Sequence, residues 1–311
     1  YRPLVRSGGR IADIRGYSYR RLCRILPCYL LAVLVAAMFA LARGRTVGSA
    51  PLWRDLLTHL TFTYTFSMDT YYWTSLNAAL WTVAVEMQFY LIFPLLARAF
   101  GKRPVLTFVS LTAAALVSRA LTAACAKELS LWVNQLPCML DLYVLGMLAA
   151  HLLEKRGSAP RRWIFFPLSL LALFGIFAVL WRQNAAGDAE IKAAQLLWRL
   201  PLGLCGAAFL YFAGRAPESL DRVFGNRLVR LLSAVSYNFY IWHQYLAVKL
   251  KEFHIPAYDS EFPQMSEGHA WQMKYTLLCF AAAFALAAAL TYFVEKPAAR
   301  ALLRRNRKEN V

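Results

Sequence analysis

Apolar residues in this chain come in long blocks, not in the short stripes of a water-soluble helix. The blocks run over Ile25–Ala42, Leu76–Phe100, Pro104–Ala124, Leu136–Leu153, Trp163–Trp181, Ala194–Ala213, Leu228–Leu250 and Tyr275–Val294. A helix needs roughly 20 apolar residues to cross the ~30 Å hydrocarbon core of a bilayer. In lipid the backbone must satisfy its own hydrogen bonds, so blocks this long are read as helices. The pattern predicts an all-α polytopic membrane protein of about eight transmembrane helices. Between the first two blocks, residues 43–75 contain an amphipathic stretch, Leu52–Phe66, which predicts an interfacial or re-entrant helix. Tyr71, Tyr72 and Trp73 crowd its end, as at a membrane–water boundary. Residues 250–273 form a second sizeable connection.

Charge adds orientation to this picture. The chain has 35 Lys and Arg against 17 Asp and Glu, a net charge of +18. Such an excess raises the possibility of a nucleic-acid partner, but its placement argues against one. Arg2, Arg6, Arg10, Arg15, Arg20, Arg21 and Arg24 precede the first block. Further groups follow the second (Arg98, Lys102, Arg103), the fourth (Lys155, Arg156, Arg161, Arg162) and the sixth (Arg215, Arg222, Arg227, Arg230). Lys296, Arg300, Arg304, Arg305, Arg307 and Lys308 follow the eighth. The alternate connections are poorer in Lys and Arg. This is the positive-inside alternation, and it predicts both termini in the cytoplasm of a multi-pass plasma (inner) membrane protein. The expected layout is a cytoplasmic basic arm over residues 1–24, a transmembrane domain over 25–297 and a disordered basic tail over 298–311. The chain opens at Tyr1 in a basic stretch with no apolar segment before it, which predicts an N-terminally incomplete sequence. The six cysteines are scattered without a CxxC pair, and no His/Cys cluster has metal spacing, so no metal is expected.

Ionisable groups inside membrane helices are costly and are functional candidates by default. Glu86 lies mid-block, and helical spacing puts Thr82, Glu86 and Tyr90 on one face. A carboxylate there suits a general base, a group that orients a base, or a proton site in transport. It equally suits a structural carboxyl bonded to neighbouring helices. The seventh block carries Ser233, Ser236, Tyr237, Tyr240 and His243 at i, i+3, i+4 spacing, a stripe expected to face the bundle interior. His243 suits acid–base work near neutral pH, or an interfacial anchor beside Trp242. Asp141 and Arg199 each begin a block and are expected to pair. Glu295 ends the last block, where inner-face arginines are potential partners and Pro297 is expected to end the helix. Arg21 and Arg24 share a helical face and suit a phosphate, or simple positive-inside anchoring.

Four segments resemble, in order, the acyltransferase-3 family of membrane acyltransferases. Arg21-Leu22-Cys23-Arg24, entering Ile25-Leu26-Pro27, is similar to the family's RxxR segment. Leu80-Trp81-Thr82-Val83-Ala84-Val85-Glu86-Met87-Gln88-Phe89-Tyr90-Leu91-Ile92-Phe93-Pro94 resembles its LWTLxVExQFYLxFP segment, the most specific match. Ser236-Tyr237-Asn238-Phe239-Tyr240-Ile241-Trp242-His243 resembles SYxxYLWH, and Glu295-Lys296-Pro297 resembles its terminal ERP. Leu140-Asp141 with Gly146-Met147-Leu148 is a weaker fifth likeness.

The resemblance implies about ten membrane helices, of which these blocks would be the last eight. It implies acyl-CoA, usually acetyl-CoA, as the donor on the cytoplasmic side, with no tightly bound cofactor. The acceptor would be a hydroxyl of an envelope glycan or a lipid-linked molecule. On this reading Arg21 and Arg24 hold the CoA phosphates, and Glu86, Tyr90 and His243 are catalytic. Trp81, Asp141, Ser236, Tyr237 and Tyr240 line the substrate path. One departure stands out. The family's first helix carries a histidine regarded as catalytic, and neither that helix nor the FFxLSGFL-like segment after it is in this sequence. His59, His151, His254 and His269 fall in no matching context. The family's secreted hydrolase-like domain does not follow at the C-terminus, so a separate extracytoplasmic transferase is a possible partner. Two other readings compete. One is a proton-coupled transporter or flippase with Glu86 as the proton site, against which the lack of an internal repeat counts. The other is an inactive fragment or assembly subunit.

Overall fold

The computed structural model describes residues 14–42, 44, 51–155, 162–220, 222 and 225–309, and within them every regular element is a helix. The principal helices are α1 (Ile14–Ala42), α2 (Leu52–Leu60), α3 (Trp81–Lys102), α4 (Pro104–Cys125) and α5 (Leu140–Lys155). They continue with α6 (Phe165–Asn184), α7 (Gly187–Ala213), α8 (Arg227–Glu252), α9 (His269–Leu290) and α10 (Lys296–Glu309). Seven stretches are long and apolar enough to cross a bilayer. They match seven of the eight blocks. The other is α8, long enough at 26 residues but less apolar, because Ser236, Asn238, His243 and Gln244 interrupt its middle. Side-chain placement fits lipid as solvent. Leu91 and Phe293 are each 81% exposed, whereas Asp141 and Asn238 are fully buried. A water-soluble domain sorts these side chains the other way.

Three boundaries differ from the sequence expectation. Helix α1 begins at Ile14, so Arg21 and Arg24 lie inside a helix and not in an arm before it. Arg2, Arg6 and Arg10 of that arm fall outside the described residues, as do Arg156 and Arg161. The C-terminal segment through Glu309 is helical, because its Ala, Leu, Arg and Lys residues are good helix formers. Pro297 does not end the last helix. A π-turn over Thr291–Glu295 precedes it, and Pro297 sits in the first turn of α10, where a missing N–H costs little.

The chain divides into two compact units. The first holds Val85–Asn226, that is, the greater part of α3 with α4 to α7. Ala97, Phe100, Val144 and Met147 form a fully packed cluster in it, flanked by Phe93, Phe108, Leu111 and Leu148. Glycines let α7 approach its neighbours closely. A Cβ on Gly203 would lie 2.6 Å from Leu142 Cδ2 of α5, and one on Gly175 of α6 would lie 2.9 Å from Cys205 Sγ of α7. Apolar side chains gain nothing from water exclusion in lipid, so close backbone approach is a main source of such packing.

The second unit holds Arg15–Ala84 together with the chain from Arg227 on, and in it α8 packs against α9. Residues 52–80 fold back onto the middle of this unit. The Tyr29 hydroxyl of α1 donates to His59 O at 2.8 Å, and Asn77 Nδ2 donates to Ile241 O of α8 at 2.9 Å. Both anchor points lie near the centres of their helices, so the segment is tied to the middle of this unit, with Asp55, His59, Tyr64 and Thr70 buried and Trp53, Leu57 and Leu60 exposed.

Candidate acyl-transfer site

The motif residues fall into two groups, one in each unit. In the first unit Tyr90 donates its hydroxyl to Glu86 Oε1, one helical turn away on α3. This is the expected i, i+4 pair. Phe89 stacks on Tyr143 of α5 with ring centroids 3.7 Å apart. The same unit contains Asp141, whose partner is not the expected Arg199. Arg119 of α4 reaches Asp141 Oδ2, with the two side chains 4% and 0% exposed. Arg199 instead donates to Val133 O and to Asn134 Oδ1. The correction follows from packing: α4 and α5 lie side by side, and Arg119 and Asp141 meet across their contact.

In the second unit, three of the sequence-distant motif segments meet. Arg24 Nε of α1 lies 3.8 Å from Glu295 Oε1. Asn238 of α8 donates to Glu295 Oε2 at 2.8 Å and to Thr291 Oγ1 at 2.9 Å. The widened π-turn over Thr291–Glu295 leaves both of these residues on the side facing α8. Turns of this kind are frequent at functional sites. Tyr237 donates to Ile25 O at 2.9 Å, tying α8 to α1 beside Arg24. Arg24 keeps 56% of its side chain exposed and Glu295 10%, so the guanidinium stays open to a second anion. The Arg21 guanidinium sits 5.6 Å from the Tyr17 ring centre, on the same helix.

The stripe on α8 does not face the interior as a whole. Ser233 and Ser236 are exposed, and the buried face is Val235, Asn238, Ile241, Trp242 and Tyr245. Asn238 is the polar residue that the hydroxyl pattern overlooked. Ser236, Tyr240 and His243 line a groove of about 350 Å³ against α9, with Phe239, Phe280 and Phe284 as its apolar wall. His243 Nδ1 lies 2.7 Å from Tyr240 O. A carbonyl only accepts, so Nδ1 carries the proton and Nε2 is left as an acceptor. Tyr240 bonds Thr82, and Trp81 meets Tyr71 edge-on at 6.4 Å.

A further polar centre belongs to no expected motif. Asp55 and His59 on α2 are 1% and 0% exposed. Their signal was an Asp-x-x-x-His spacing within the amphipathic stretch Leu52–Phe66. Tyr64 stacks on the His59 ring at 3.9 Å and donates to Leu80 O. Burial holds the Tyr64 phenol well above its ordinary value, so it remains a donor.

No curated protein and no solved structure gives a match. A family model described as an acyltransferase domain matches residues 7–292, nearly the whole chain. The match covers most of both units and three of the four motif segments, Glu295-Lys296-Pro297 lying just beyond it, and with its apolar helices the chain belongs to the acyltransferase-3 family of membrane acyltransferases.

Proposed function

We propose that this protein is an O-acyltransferase of the plasma membrane. It moves an acyl group, most simply acetyl, from acyl-CoA on the cytoplasmic side to a hydroxyl of an envelope glycan or lipid-linked acceptor. One observation carries the reading: Arg24, Asn238 and Glu295, from three separate motif segments, converge on one half-open centre. Arg24 offers exposed donors for a CoA phosphate, while Glu295 and Asn238 fix the local geometry around it. Acyl transfer also needs a base for the attacking hydroxyl and donors for the developing oxyanion. Glu86 with Tyr90, and the groove with Tyr240 and His243, supply groups of both kinds.

Membranes containing the protein are expected to move label from radiolabelled acetyl-CoA into an alkali-labile ester fraction. Arg24→Ala should raise the KM for acetyl-CoA at least severalfold, and Glu86→Gln should lower kcat by about 10²-fold. Equal transfer by both variants and the parent protein would remove the assigned roles. Substrate-dependent proton movement without any acyl-CoA requirement would favour a transporter instead.

A further inference from the structure

The two helices that flank the Arg24–Glu295 centre carry more positive charge than that centre uses. Helix α1 brings Arg20, Arg21 and Arg24, and α10 brings Lys296, Arg300 and Arg304. Glu295 is the one acidic residue in the sequence stretches Ile14–Tyr29 and Thr291–Arg304. Arg20, Arg24, Arg300 and Arg304 are exposed. Among the described residues no carboxylate pairs with Arg300 or Arg304. Positive charge beside the ends of membrane helices orients a chain. Orientation depends on how many cations there are, and their arrangement is left to serve a ligand.

Two contacts fix how these helices run. Arg24 Nε lies 3.8 Å from Glu295 Oε1, and the Tyr19 hydroxyl donates to Leu302 O at 2.9 Å. The later residue of α1 meets the earlier residue of the C-terminal segment, so the two run antiparallel. On α1 Tyr19 reaches its neighbour and Cys23, one turn on, is buried; Arg20 and Arg24 each follow one of these. On α10 Ala299 and Leu303 are half-buried, and Arg300 and Arg304 each follow one of these. One residue is about 100° of helical turn. In antiparallel helices that step from the facing side carries both sets of side chains to the same flank. Arg20 and Arg24 of α1 therefore share a flank with Arg300 and Arg304 of α10. Arg300 stands about 7.5 Å of helical rise beyond Glu295. Like charges one turn apart repel each other, and a polyanion on this flank relieves that cost.

We infer that Arg300 and Arg304 hold the ribose 3′-phosphate of the acyl-CoA donor, while Arg24 holds its diphosphate. The inference rests on the acyl-transfer reading. CoA carries its phosphates in two places, a diphosphate towards the pantetheine arm and a monophosphate across the ribose. Two arginine groups on separate helices match two separated phosphate groups. Guanidinium groups one turn apart can close on the oxygens of a phosphate with several N–H donors. The 3′-phosphate takes no part in bond making, so these contacts bind the donor and select CoA over thioesters that lack it. Past Pro297, α10 carries no residue of the four motif segments.

The test compares two labelled donors, acetyl-CoA and acetyl-3′-dephospho-CoA, in transfer to the alkali-labile fraction. The parent's KM should be lower for acetyl-CoA by about tenfold or more. The double variant Arg300→Gln/Arg304→Gln should raise the KM for acetyl-CoA about tenfold and leave that for the dephospho donor in place. Arg24→Ala should raise both. Exposed arginines are replaced, so the double variant should accumulate and melt like the parent; if it does not, each single substitution should show part of the same selective loss. A double variant that loses both donors equally, or neither, overturns the inference. A lipid headgroup offers the same phosphate chemistry, so the comparison is repeated in phosphatidylcholine nanodiscs, where the selective loss should persist. A loss seen only when phosphatidylglycerol is present assigns the arginines to the bilayer and overturns the inference. A parent that transfers label from neither donor overturns the acyl-transfer reading itself, whereas a parent that uses both donors equally well overturns only this subsite.

Discussion

Two ion pairs, one in each unit, show what a buried charge does in this protein. Arg119 and Asp141 are shut inside the first unit, at 4% and 0% exposure. Arg24 and Glu295 sit in the second unit with the arginine more than half exposed and a 3.8 Å gap between the partners. The first pair is enclosed and joins α4 to α5. The second is held from one side only, by Asn238 on Glu295, and leaves its cation available. A closed pair specifies packing, and a half-open pair can exchange its partner for a ligand. Arg24 and Glu295 belong to the second kind, and the charge that the sequence flagged at Asp141 belongs to the first.

Breaking the closed pair should have the largest effect on folding. Asp141→Ala strands the Arg119 guanidinium in an apolar interior at a cost of about 3–5 kcal/mol. The variant should be depleted from membranes or melt far below the parent in detergent. Replacing both partners with apolar residues of similar volume should recover much of that loss. A smaller effect is expected from Asn238→Ala, which removes two donors and leaves Thr291 and Glu295 under-satisfied, at about 1–3 kcal/mol. Its thermal melting should fall by less than that of Asp141→Ala, and its acetyl-CoA dependence should worsen as Arg24 loses a fixed neighbour. The smallest stability effect belongs to Arg24→Ala, under about 1 kcal/mol for so exposed a side chain. If Arg24→Ala melts as low as Asp141→Ala, the contrast between the two pairs collapses.

How much of this was legible in advance depends on range along the chain. The Glu86–Tyr90 bond and the Asp55–His59 pair are both one helical turn apart, and helix geometry alone places such residues together. An inner-face arginine was expected as a partner for Glu295, because positive-inside charge and a terminal carboxylate belong on the same side of a bilayer, and the fold selects Arg24. Asp141 was assigned to the wrong arginine because its true partner lies 22 residues earlier on a neighbouring helix, where rotation about the helix axis chooses the contact. The stripe on α8 failed for a related reason. Its hydroxyls share a face, but the buried face is offset from it and carries Asn238. The Asp–His spacing on α2 was visible, yet nothing local reveals that Tyr29, Tyr64, Thr74 and Ser75 enclose it.

The sequence by itself determined the solvent, the helices and the neighbours within each helix. Block length is set by bilayer thickness and i, i+4 contacts by covalent geometry, and neither needs a tertiary fold. The tertiary structure alone decided which polar face is enclosed, which charges pair and which side chains of the short amphipathic helix are buried. The reason is physical. In lipid an apolar side chain is nearly indifferent between tail and protein, so hydrophobicity does not say which way a helix turns. That choice is made by close packing at glycines and by the few polar groups that must find each other.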